Sequence, residues 1–90
     1  MQQTQSLKTY VDVTAVFSSD GCLTPLVITW TDGRRYEIDR VLKCERAASR
    51  KAGGAGLRYT CMVAGNRVHL FYEENYRWFV EAKQAAAPRL

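Results

Sequence analysis

The sequence predicts an all-β domain, a small antiparallel meander closing into a five- to six-stranded barrel or roll. Three observations carry this. Apolar residues recur with period two through most of residues 8–83, glycine-containing turns separate the alternating runs, and the glycine-rich basic stretch at 49–58 breaks strand-like rather than helical segments. Ninety residues allow one domain, with the ordered core at about 8–83 and flexible tails at 1–6 and 84–90. With 47% hydrophobic residues and ten aromatics (two Trp, five Tyr, three Phe) the composition is that of a globular chain.

In the first strand, 8–17, Val11, Val13, Ala15 and Phe17 alternate with Tyr10, Asp12, Thr14 and Val16. Ser18-Ser19-Asp20-Gly21 reads as a turn, and Pro25 holds the next strand to 26–30. That strand and 34–43 form a hairpin around Thr31-Asp32-Gly33. A two-residue Asp-Gly turn would set Trp30 against Arg35 and Ile28 against Glu37. A three-residue loop with Gly33 in the left-handed region pairs Ile28 with Tyr36 and Leu26 with Ile38, gathering the apolar set on one face, and is preferred.

The second hairpin, 58–64 with 67–73, is expected to turn at Gly65-Asn66. That register pairs Val63 with Val68, Cys61 with Leu70 and Tyr59 with Tyr72. On the other face Met62 meets His69, Thr60 meets Phe71 and Arg58 meets Glu73. A last strand, 76–83, places Trp78, Val80 and Ala82 on one face and Arg77, Phe79 and Glu81 on the other. Two readings compete for 39–52: a helix capped by Asp39 and stopped by Gly53, or a strand continuing past a bulge near Asp39-Arg40 to about Glu45 and then a loop. The strand is preferred. A sheet of this kind has two edges unless it closes, and open edges or apolar patches would drive dimer formation.

Charge is concentrated. Residues 40–58 hold six cations (Arg40, Lys43, Arg46, Arg50, Lys51, Arg58) and one acid, Glu45, for a net +5 in a chain of net +4. A basic loop on a β scaffold suits an anionic partner, RNA or single-stranded DNA, with Arg46, Arg50, Lys51 and Arg58 on phosphates and Phe71 or Phe79 stacking on unpaired bases. The glycines do not make a P-loop, because Lys51 precedes them and no helical pattern follows. The bland alternatives are a flexible connection between hairpins and aromatics that pack in a core or dimer interface.

Enzyme chemistry finds little support. His69, the only histidine, reads as a partly exposed strand residue on the face opposite Cys61, which disfavours a Cys–His pair. Asp32 is taken by its turn, and Glu37 and Asp39 suit ion pairing with Arg35. Cys22, Cys44 and Cys61 are odd in number and never spaced C-x-x-C, so reduced thiols in a cytoplasmic protein fit better than a disulfide or zinc site. No cofactor is implied. No apolar run reaches about 18 residues, and the start of the chain lacks the basic and apolar regions of a signal peptide.

The segment Trp30-x-Asp32-Gly33-Arg34-x-Tyr36-x-Ile38-Asp39-x-Val41-Leu42, then Ala47-Ala48-Ser49, Ala52-Gly53-Gly54-x-Gly56-x-Arg58-Tyr59 and Trp78-Phe79-Val80-Glu81, resembles short uncharacterised bacterial proteins, domains of unknown function. The likeness spans about residues 26–83. It implies a small stand-alone bacterial domain and carries over no functional residue. The expectation is a non-catalytic binding module for a polyanion, without membrane contact; the alternative is a homo-oligomeric structural or protein-interaction module, for instance a homodimer.

Overall fold

The computed structural model describes residues 8–48, 55–73 and 75–81, which form seven strands. These are β1 (Lys8–Phe17), β2 (Leu23–Thr29), β3 (Arg35–Glu37), β4 (Arg40–Ala48), β5 (Ala55–Val63), β6 (Asn66–Glu73) and β7 (Trp78–Glu81). They pair antiparallel in one sheet of order β3-β2-β1-β7-β6-β5-β4, curled into a half-barrel.

The curl follows from chain length. β3 and β4 are opposite edges of the sheet, which if flat would lie roughly 29 Å apart at the usual strand spacing. Only Ile38 and Asp39 join them, and the three steps from Glu37 to Arg40 reach about 11 Å at most. Consecutive amides straddle the seam: Ile38 N donates to Leu26 O on β2 (2.9 Å), and Asp39 N donates to Met62 O on β5 (2.8 Å). The expected single strand 34–45 is therefore two strands meeting at a corner, and 39–48 is extended rather than helical. Of the expected glycine-rich stretch 49–58, residues 55–58 are the start of β5, three residues earlier than the strand expected from Arg58, and 49–54 lie outside the described residues.

The inner face holds the core. Ile28, Cys61, Val63, Leu70 and Val80 are at most 1% exposed, with Val11, Trp30, Tyr59 and Val68 beside them. Each fully buried side chain of the Ile, Leu or Val kind contributes roughly 1.5–3 kcal/mol. Tyr59 also donates its hydroxyl to Leu23 O (2.5 Å), linking β5 to the start of β2 across the open side.

The first hairpin has the expected register: Ile28 pairs with Tyr36, Val27 with Glu37 and Thr29 with Arg35, with Gly33 at φ 91°. Three expectations are corrected. β2 begins at Leu23 and runs through buried Pro25, where the β1–β2 register shifts; this bulge turns Leu26 outward to 43% exposure. Phe17, which alternation set on one face with Val11 and Val13, is 70% exposed at the end of β1 while Val11 is buried.

The second hairpin turns at Ala64-Gly65, both at positive φ (50° and 80°), as a type I′ turn requires. Its register is two residues from the expected one: Cys61 pairs with Val68, Tyr59 with Leu70, Thr60 with His69 and Arg58 with Phe71. Asp39 fixes this turn by accepting from Ala64 N (3.1 Å).

Candidate functional site

The charge of residues 40–48 is divided between the two faces: Lys43 and Glu45 lie in the outer rows of Thr60 and Arg58, and Arg46 lies in the row of Leu57, which packs against the core. β4 is an edge strand, and Arg40, Lys43 and Arg46 are exposed along it. The acid of this segment, Glu45, accepts from Arg58 Nη2 (2.7 Å) and lies 3.4 Å from Lys43 Nζ. The hydrogen bond from Arg58 holds its carboxyl below the usual carboxylate range. Arg58 is thus bound to Glu45, its side chain one-third exposed and its Nε buried without a partner. Arg50 and Lys51 lie outside the described residues.

Strand pairing sets Glu45, Arg58, Phe71, Phe79 and Tyr10 in one row across five adjacent strands. Phe71 and Phe79 stack, with centroids 4.9 Å apart and planes 3° from parallel, and both are 0% exposed. Tyr10 meets Phe79 edge-on at 5.8 Å, and Lys8 Nζ stands 5.0 Å from the Phe79 centroid. Lys8 reaches from there to Glu73 Oε2 (2.8 Å), while Tyr10 donates to Glu73 Oε1 (2.8 Å). These two rings are therefore a covered outer cluster, and the expected role in base stacking is closed to them by burial.

A cleft of about 600 Å³ opens beside this cluster, where the 31–33 loop, β1 and the start of β7 meet. Its walls include Tyr10, Asp12, Trp30, Tyr76, Arg77 and Trp78. The Arg77 guanidinium carbon lies 3.7 Å from the Tyr10 ring centroid, a close cation–π contact. Tyr76 is 83% exposed and has φ of 70°. The sequence pattern set Arg77 on the face of Phe79, among the arginines beside outward aromatics, and gave Tyr76 no role. The available signal was a three-residue interval between Glu73 and Arg77 matching that between Trp30 and Arg34, with no glycine in it.

A second gap of about 370 Å³ lies on the open side, between the start of β2 and β4–β5, with Cys22, Leu23, Val41, Cys44, Leu57 and Tyr59 among its walls. Cys22 and Cys44 are exposed and Cys61 is buried. Burial, and then the neighbouring Cys44, push the Cys61 thiol up to about 11, and burial likewise raises the Tyr59 phenol. His69 is half-buried, with Nδ1 3.4 Å from Thr60 Oγ1. Among the described residues no group of three or more His, Cys, Asp or Glu is placed to hold a metal ion, and no helix is long and apolar enough to cross a membrane.

No protein-family model matches the chain, and no curated protein or solved structure shows significant similarity to it. The likeness of residues 26–83 to short bacterial proteins gains no support from these comparisons.

Proposed function

We propose that this chain is a non-catalytic β module that binds an anionic polymer, RNA or single-stranded DNA. The observation that carries the reading is the net +5 of residues 40–58, of which Arg40, Lys43 and Arg46 lie exposed on an edge strand whose acid is engaged by Arg58. Arg46, Arg50 and Lys51 are the cations assigned to phosphates, with Arg40 and Lys43 on the same strand as Arg46; Arg58 serves mainly to neutralise Glu45. Basic residues along a β surface attract a nucleic-acid backbone without regard to sequence, by releasing condensed counterions. Unpaired thiols at Cys22, Cys44 and Cys61 suit a reducing compartment such as the cytoplasm.

The test is the salt dependence of oligonucleotide affinity. Three phosphate contacts on a single strand give a log–log slope of roughly −2, so affinity should fall about 20-fold between about 50 and 200 mM salt. Arg50→Ala with Lys51→Ala should flatten that slope. Binding that ignores salt would end this reading.

A second reading has its own observation. Phe17, Val16 and Leu26 are 70%, 47% and 43% exposed on the paired strands β1 and β2, which suits contact with a second copy. Light scattering decides it: a strict monomer at high concentration removes the homo-oligomer.

A further inference from the structure

The loops after Trp30 and after Glu73 are built alike. In the first, Trp30 N donates to Arg34 O (2.8 Å), Gly33 N donates to Trp30 O (2.9 Å), and Arg34 N donates to Asp32 Oδ1 (3.0 Å). In the second, Glu73 N donates to Arg77 O (2.7 Å), Tyr76 N donates to Glu73 O (3.1 Å), and Arg77 N donates to Asn75 Oδ1 (3.2 Å). The third loop position is left-handed in both, at φ 91° for Gly33 and 70° for Tyr76. Glycine takes this conformation without penalty, whereas a bulky L side chain is strained in it.

Packing does not compensate Tyr76 for that strain, because the residue is 83% exposed. Strain held at an exposed aromatic residue points to work done by the ring outside the fold. Its surroundings say what kind. Tyr76 forms one wall of the 600 Å³ cleft, and Arg77 lies next to it, stacked on Tyr10. Aromatic faces beside an arginine receive flat π systems next to negative charge, which describes an unpaired base and its phosphate.

Topology places this wall in register with the last arginine of the basic edge strand. Arg46 pairs with Leu57, Leu57 with Tyr72 and Tyr72 with Trp78, so Arg46 shares a row across four strands with the Trp78 wall of the cleft.

We infer that the Tyr76–Arg77 cleft is a base-stacking subsite for single-stranded nucleic acid, an assignment that rests on the polyanion reading above and supplies the aromatic contact that buried Phe71 and Phe79 cannot make. Tyr76 offers its ring to a base, and Arg77 offers charge to the adjoining phosphate.

The experiment measures oligothymidylate affinity at fixed salt, and melting temperature, for the intact chain and for Tyr76→Gly and Tyr76→Phe. Tyr76→Gly should weaken binding by roughly five- to a hundred-fold, the usual effect of losing one stacked base. It should also raise the melting temperature, because glycine relieves the left-handed strain. Tyr76→Phe, which keeps the ring, should bind within about twofold of the original. The inference is overturned if Tyr76→Gly binds as well as the original while Arg50→Ala with Lys51→Ala does not, an outcome that leaves the polyanion reading standing. It is overturned also if Tyr76→Gly loses melting temperature together with affinity, since the ring would then support the fold. No binding by the intact chain would remove both.

Discussion

Glu73 is 7% exposed, yet Lys8 and Tyr10 both hydrogen-bond to its carboxylate. The bond from Lys8, then that from Tyr10, hold its carboxyl below the ordinary 4.5, while the same contact raises Lys8 above 10.5. The signs fix the pH response. Glu73 is more acidic folded than unfolded, so its stabilisation is complete above 4.5 and is lost as the pH falls through its lowered value. Lys8 loses its share only as the pH rises beyond 10.5. Glu73→Gln should cost roughly 1–3 kcal/mol near neutrality, as expected for hydrogen bonds to a charged group. It should also flatten the fall in urea midpoint on acidification; an unchanged acid profile would show that the Lys8–Glu73 contact contributes nothing. The sequence placed Glu73 opposite Arg58 because charges of opposite sign suited each other there. In the fold both find other partners, since Arg58 pairs with Phe71 and only strands joined through the β1–β7 ladder bring Lys8 to Glu73. Single-residue chemistry was readable, but long-range partnership was not. The same limit misplaced the aromatic site: Phe71 and Phe79 alternate as outward residues should, and alternation cannot tell that Lys8 and Tyr10 lie against Phe79.

Within the β5–β6 hairpin the decisive element is Gly56. A Cβ there would lie 2.1 Å from the Tyr72 carbonyl oxygen, backbone that cannot step aside without breaking the ladder. Gly56→Ala should therefore destabilise by roughly 1–3 kcal/mol through overpacking. Gly33→Ala meets nothing within 4 Å and should lose only what its left-handed φ costs, about 1 kcal/mol. Thermal melting of the two variants checks the order; a Gly56→Ala chain melting above Gly33→Ala would mean that the β5–β6 edge is not so close. The hairpins also show how far pattern reaches. Alternation fixed which residues of β5 and β6 face inward, because a slip of one residue inverts every side chain. A slip of two inverts none, so Gly65-Asn66 and Ala64-Gly65 serve the inner stripe equally. Asp39 breaks that tie by accepting from Ala64 N, and it arrives from the corner between β3 and β4, which pattern alone does not place beside this turn. The first hairpin needed no such help, since its three-residue loop was the one register keeping Ile28 opposite Tyr36.

At the scale of the whole molecule the half-barrel is held shut along a seam that the sheet ladder does not cross. Ile38-Asp39 closes it through the backbone, and Tyr59 closes it through the hydroxyl given to Leu23 O. Cys61 lies beneath this closure at 0% exposure, its thiol pushed up to about 11, while Cys22 and Cys44 are exposed on the rim. A chromogenic disulfide reagent at neutral pH should accordingly titrate Cys22 and Cys44 promptly and reach Cys61 only as the fold opens, with all three reacting in denaturant. Labelling of Cys61 then reports the opening equilibrium when reclosing is fast. Tyr59→Phe removes one hydrogen bond across the seam, worth about 1 kcal/mol, and should speed that slow phase roughly fivefold without changing the two fast ones. Equal rates for all three thiols in the native chain would mean that the core is open to solvent. A slow phase indifferent to Tyr59→Phe would mean instead that the Ile38-Asp39 corner alone governs closure.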